Sequence, residues 1–225
     1  GNRSKDETSN LHATGIDMKL SNLDDNLGRG SATIAPSRSQ IEAAVRTLIA
    51  ATGDDPWREG LVETPARVAR AYAEWFSGYT QSPSEVLDRQ FSEIADYDET
   101  ILLRNIPLVS TCEHHLAPIT GVVHIAYKPG NAVVGISKLS RLANVFARRL
   151  QLQERLTSQI ANALDEALHP RGVAVAIEAS HGCMSTRGVN QHGVSMITKC
   201  WLGEFQSDAD LRREFMESLS SPSSN

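Results

Sequence analysis

Residues 122–136 read Val122-Val123-His124-Ile125-Ala126-Tyr127-Lys128-Pro129-Gly130-Asn131-Ala132-Val133-Val134-Gly135-Ile136. A run of β-branched and apolar residues ends in a Lys-Pro-Gly-Asn turn, and a second such run follows. Two strands joined by so short a turn are antiparallel, so the stretch predicts a hairpin. Upstream, Ile101-Leu102-Leu103 and Ile106 to Val109 are further short strands. Downstream the period becomes helical over Ser137 to Leu150 and over Gln153 to Leu168, where Leu156, Ile160 and Leu164 mark a buried face. Strands return at Val173 to Ala179 and Val194 to Phe205. Two helices precede the strands. The first carries Ile41, Val45, Leu48 and Ile49 at helical spacing and stops at Gly53-Asp54-Asp55-Pro56. The second starts at Thr64-Pro65, with Pro at its first position, and lines Val68, Ala69, Tyr72 and Phe76 on one face. A short helix is expected from Ser84 to Arg89. Helices, antiparallel strands, a helix pair and strands again make an α+β chain rather than a doubly wound sheet.

The chain has 225 residues and a formal charge of -5, which argues against a non-specific grip on nucleic acid or an anionic membrane. A local basic pocket for a small anion stays compatible with it. Residues 1–38 lack aromatic residues and are rich in Ser, Asn, Asp and Gly, so they are expected to form a disordered tail. The end from Leu219 to Asn225 is expected to fray, leaving residues 39–218 as the folded domain. No apolar run approaches the roughly 18 residues of a membrane span. The N-terminus lacks the pattern of a signal peptide, so the expected location is cytoplasmic. Three cysteines, Cys112, Cys183 and Cys200, do not form a disulfide framework and read as thiols or metal ligands.

The chemistry gathers around two of them. Ser110-Thr111-Cys112-Glu113-His114-His115 sits where a strand gives way to a loop, and Cys112 and His115 have a C-x2-H spacing that lets both converge on one ion. His181-Gly182-Cys183 closes a later strand. Cys112, His115 and Cys183 would make a three-ligand site with an open fourth position, the catalytic arrangement of zinc, which thiolate and imidazole suit. A buried Cys beside an ordinary His is the plain alternative for either cluster alone. Cys200, the spare cysteine, lies in a strand-like run beside Trp201. His114 and His181, one beside each cluster, can carry protons near neutral pH, or simply orient the ligands.

Gly135-Ile136-Ser137-Lys138 joins a strand to a helix with Ser137 as the expected N-cap, and Lys138 and Arg141 lie in the first turns. A helix N-terminus with two cations suits a phosphate, although a solvated basic face is the ordinary reading. Arg187 lies four residues after Cys183, and Arg67 and Arg70 are one helical turn apart. Glu154, at the start of its helix, can accept paired hydrogen bonds from a purine N1–H and amino group, or complement the helix dipole.

These residues resemble GTP cyclohydrolase I. The matching segments are Thr64-Pro65-x-Arg67-Val68-Ala69, Ser110-x-Cys112-Glu113-His114-His115, Gly135-Ile136-Ser137-Lys138-Leu139, Phe146 to Thr157, and His181-x-Cys183-Met184 with Arg187-Gly188-Val189. The likeness runs in order from about Ile41 to Phe215. It implies a tunnelling fold (T-fold): an antiparallel sheet with paired helices on one face and an N-terminal helical extension, assembled into a homodecamer with active sites between subunits. By position it implies Zn2+ on Cys112, His115 and Cys183, with His114 and His181 handling protons. Glu154 would hold the guanine edge of GTP, with Gln153 nearby. Lys138, Arg141 and Arg187 would bind the triphosphate, joined by Arg67 and Arg70 from a neighbouring subunit, with Ser137 on phosphate or ribose. The implied reaction converts GTP to 7,8-dihydroneopterin triphosphate with release of formate, at the head of pterin and folate synthesis.

Two other readings compete. A nitrile-reducing T-fold enzyme would spend a cysteine as nucleophile, whereas here both cysteines beside histidines are candidate ligands. A zinc-stabilised scaffold would want a closed metal site and would need neither the extra histidines nor Arg187.

Overall fold

The computed structural model describes residues 35–92 and 97–220. Most of the expected N-terminal tail, residues 1–34, lies outside the described residues. The first helix, α1 (Arg38–Ala51), begins where Ser37 and Gln40 form a capping box, each side chain satisfying the other's backbone N–H. Then follow α2 (Thr64–Trp75), a 3-10 turn (Ser77–Thr80), α3 (Pro83–Val86), β1 (Gln90–Phe91), β2 (Ile101–Cys112), β3 (Pro118–Lys128) and β4 (Val133–Val134). The second half holds α4 (Ile136–Ala147), β5 (Leu150–Gln151), α5 (Gln153–Leu168), β6 (Gly172–His181), α6 (Gly182–Ser185), β7 (Met196–Gly203), α7 (Glu204–Ser207) and α8 (Ala209–Ser220).

Five strands form one sheet in the order β5-β2-β3-β6-β7, antiparallel except where β5 lies parallel to the end of β2. Alternation decides what each face meets. Val123, Ile125 and Tyr127 of β3 and Val173, Val175 and Ile177 of β6 point into a core shared with Leu139 and Leu142 of α4 and Leu156, Ile160 and Leu164 of α5. Burying each such α5 side chain is worth about 1.5–3 kcal/mol. The intervening Ala126, Ala174 and Ala176 point the other way, and their short side chains let Phe205 and Phe215 pack closely there.

Several expectations need correcting. The Lys128–Asn131 turn does not close a hairpin: β4 pairs with β1 in a separate two-stranded sheet, while β3 is flanked by β2 and β6. A two-residue strand loses little by changing partners, whereas β3 gains ladders on both edges. The two short strands before residue 110 are one, β2, interrupted by a bulge between Leu103 and Ile106. Asn105 takes the bulge at φ 61°, a conformation asparagine tolerates, and donates its N–H to His124 Nδ1 at 3.2 Å. The N-cap of α4 is Gly135 and not Ser137, and the helix stops at Ala147 so that Leu150 and Gln151 can join the sheet. The N-cap of α2 is Glu63, one residue before Thr64. The expected strand through Phe205 ends at Gly203, whose φ of 57° turns the chain into α7 and α8. Leu219 and Ser220, expected to fray, belong to α8, and residues 221–225 lie outside the described residues.

Candidate metal centre and active site

Two antiparallel ladders bring the ligand segments to one edge of the sheet. Thr111 pairs with Pro118 across β2 and β3, and Ile119 pairs with His181 across β3 and β6. The end of β2 and the end of β6 therefore flank the start of β3. Between β2 and β3 the chain turns tightly: Cys112 N–H donates to Ala117 O at 2.8 Å and Leu116 N–H to Cys112 O at 2.9 Å. Leu116 takes φ 54° to close the turn, at a cost on the order of 1 kcal/mol for a leucine.

That turn and the first residues of α6 bring the donor atoms of Cys112, His115 and Cys183 within 4.8 Å of one another. Cys112 is buried, Cys183 half-buried and His115 exposed. Tetrahedral zinc with bonds of about 2.3 Å to sulfur holds two thiolates roughly 3.8 Å apart, so the spacing suits such an ion. Burial, and then the adjacent Cys112 thiol, push the Cys183 thiol above its ordinary value, and Arg187 opposes them. Arg187 also approaches His115, its Nη1 lying 3.2 Å from His115 Nε2. Cys200 lies on β7, outside the group, and burial pushes its thiol up as well.

The other expected residues divide between those gathered here and those left elsewhere. His114 is exposed on the same turn, its ring 6.3 Å from that of His115. His181 is half-buried beside Cys183; burial lowers its pKa, and Glu154 pulls it back up. Glu154 is exposed in the first turn of α5, which β5 delivers to the site by pairing Gln151 with Cys112. Gln153 reaches His181 at 2.7 Å but is itself 1 % exposed. By contrast α4 presents its C-terminus to this edge, where Ser110 Oγ donates to Ala147 O at 2.7 Å. At 1.5 Å rise per residue, Ser137 and Lys138 lie roughly 15 Å from that end. Lys138 there meets Asp88 at 3.4 Å, and Arg141 is exposed. Arg67 and Arg70 are exposed on α2, which packs on α1 and the 3-10 turn. One chain thus collects Cys112, His114, His115, Glu154, His181, Cys183 and Arg187, and sets Ser137 and Lys138 at the far end of α4.

One contact at the site has no signal in the sequence. Glu113, inside the Cys-Glu-His-His segment, forms an ion pair with Arg155 of α5, and its N–H donates to Gln151 O at 3.1 Å. The ligand turn is thereby tied to the start of α5 through both backbone and side chain. Nothing in the spacing of residues 42 positions apart signals that pair. A cleft of about 730 Å³ behind the turn is lined by Glu113, Arg155, Tyr79, Phe146 and Arg149 among others, but by none of the three candidate ligands.

The model of one family, GTP cyclohydrolase I, matches residues 41–220. The protein named GTP cyclohydrolase 1 from Maricaulis maris (strain MCS10) is 55 % identical over 184 residues, covering 82 % of this chain and 90 % of its own. Its namesake from Hyphomonas neptunium (strain ATCC 15444) is 56 % identical over 181 residues, covering 80 % and 88 %. The chain belongs to the GTP cyclohydrolase I family. Its α+β sheet with α4 and α5 paired on one face is the T-fold arrangement that the resemblance implied. A solved archaeosine synthase QueF-Like in the apo form is 18 % identical, covers 48 % of this chain and 97 % of its own, and has a TM-score of 0.39. Among the described residues, no helix is long and apolar enough to cross a membrane.

Proposed function

We propose that this family member opens the imidazole ring of GTP, releases C8 as formate, and recloses the product as 7,8-dihydroneopterin triphosphate. The observation that carries the reading is the Cys112–His115–Cys183 group, assembled beside His181 and Glu154 in a chain of this family. Cys112, Cys183 and His115 would hold Zn2+, which two thiolates and an imidazole suit. When bound, zinc supplies Lewis-acid activation of water near neutral pH.

The chain's own residues do the rest. His181 and His114 move protons as water adds at C8 and formate leaves. Glu154, exposed at a helix start, accepts the guanine N1–H and amino hydrogens, an acceptor pattern adenine cannot satisfy. Arg187 meets the triphosphate beside the ligands. Ser137 and Lys138 stand at the end of α4 away from the ligand edge, and they, with Arg141, Arg67 and Arg70, are assigned to the triphosphate of a neighbouring subunit's site. A homo-oligomer, in the family manner a decamer, fits two further features. The outer edge of β7, and of β2 before Thr111, has no strand partner among the described residues. Such edges are templates for pairing with another copy. No nucleic acid or membrane partner is proposed, and the location proposed is cytoplasmic.

Incubating the zinc-loaded protein with GTP, while following formate and pterin absorbance together, tests the reading. Equal amounts of both are expected, and Cys112→Ser should lose metal and turnover together. Full turnover in that variant would overturn the metal mechanism, and neither product from the wild type would overturn the function.

A further inference from the structure

The side chain of Gln153 lies in a polar chain whose geometry fixes which end of the amide donates and which accepts. The chain ends on backbone carbonyls, which only accept. Gln153 Nε2 lies 3.1 Å from Ile177 O, 2.9 Å from Met196 O and 3.2 Å from Thr198 Oγ1. Rotating the amide would set its oxygen against two carbonyl oxygens, so the NH2 must face them. Thr157 Oγ1 donates to Gln153 O at 2.7 Å, again because that carbonyl cannot donate. The single Thr157 proton is then spent, so Thr198 must donate across the 2.7 Å Thr157–Thr198 contact. That leaves Thr198 Oγ1 a lone pair towards Gln153, whose two amide hydrogens are shared among the three acceptors, all of which require the NH2 on this side.

One atom remains. Gln153 Oε1 lies 2.7 Å from His181 Nε2 and can only accept, so Nε2 must carry a hydrogen. The amide is 1 % exposed and Thr157 likewise 1 %, so water has little room to substitute. We infer that Gln153 is a positioning residue, not a guanine contact: its buried amide oxygen locks His181 in the Nε2–H tautomer and fixes the orientation of the ring. The inference rests on the proposed role of His181 in proton transfer. A buried partner that fixes the tautomer of a catalytic histidine acts on rate more than on binding.

Gln153→Met keeps the length and removes the acceptor. The expected result is a kcat lower by roughly ten- to hundred-fold, as for other groups that orient an active histidine. The KM for GTP should stay within about twofold, with metal content unchanged. In a His181→Ala background the same substitution should cause no further loss, since Gln153 acts through His181. A raised KM at unchanged kcat, or additive losses in the double variant, would overturn the proposal. In the wild type, 15N-histidine NMR, assigned by difference from His181→Ala, should show the neutral ring protonated at Nε2. Protonation at Nδ1 would refute the lock even if Gln153→Met fails to fold. A wild type that makes no formate would sink the proposed function, while the NMR signature would still decide the Gln153–His181 bond.

Discussion

At the scale of single residues, His124 shows how burial and one hydrogen bond change what a side chain does. It is 7 % exposed, and its Nδ1 accepts the N–H of Asn105, which holds the β2 bulge. Burial lowers its pKa below the ordinary 6.5, with Glu178 opposing and Arg104 assisting. The neutral ring is therefore the form the fold selects. Its stabilising contribution is complete above about pH 6.5 and is lost as the pH falls through that value towards the folded pKa. Thermal melts at pH 7 and pH 5 should show a steeper loss for the wild type than for His124→Asn, although the variant melts lower at pH 7. Any loss of a bound metal in acid would affect both proteins alike, so the difference isolates His124. Equal slopes would remove His124 from the account. In the sequence this histidine was one more residue of an apolar strand, because its role depends on a bulge that pairing creates.

At the scale of elements, the junctions matter more than the elements. Helix α5 was legible to its ends, since an apolar face at Leu156, Ile160 and Leu164 needs only a local period. The turn at Lys128–Asn131 closes no hairpin, because turn chemistry dictates that the chain bends and not which strand it meets afterwards. Gly78 marks a junction of the same kind. It sits in the 3-10 turn where the helical extension meets the end of α4, and its N–H donates to Arg148 O at 3.1 Å. A Cβ there would lie 2.1 Å from Val145 O and 2.8 Å from Arg148 O, both backbone atoms with no way to swing aside. Gly78→Ala should destabilise the protein by about 3 kcal/mol, at the upper end of overpacking. Differential scanning calorimetry should register a melt several degrees lower, and an unchanged melting temperature would show that the junction yields.

At the scale of the whole molecule, the helical extension looks unfinished. Helix α1 buries none of its residues, and Leu48, Trp57 and Trp75 are 68 %, 67 % and 55 % exposed. In the proposed oligomer another copy would cover such exposed apolar side chains. Leu48→Glu should therefore yield a smaller species in sedimentation velocity with helix content retained, whereas a wild-type sedimentation coefficient would place the contact elsewhere. The sequence by itself determined the family, the α+β class, the residue types of the candidate metal group and the long helices, because each depends on motif, local period or short spacing. Only the tertiary structure decided that two strand ends converge on either side of β3, since pairing register depends on which ladders form at a distance. It alone separated Lys138 and Ser137 from the ligand edge, because the direction in which α4 crosses the sheet is set by packing. It alone turned Gln153 from a neighbour of Glu154 into the partner of His181, because burial leaves that amide no other set of hydrogen bonds.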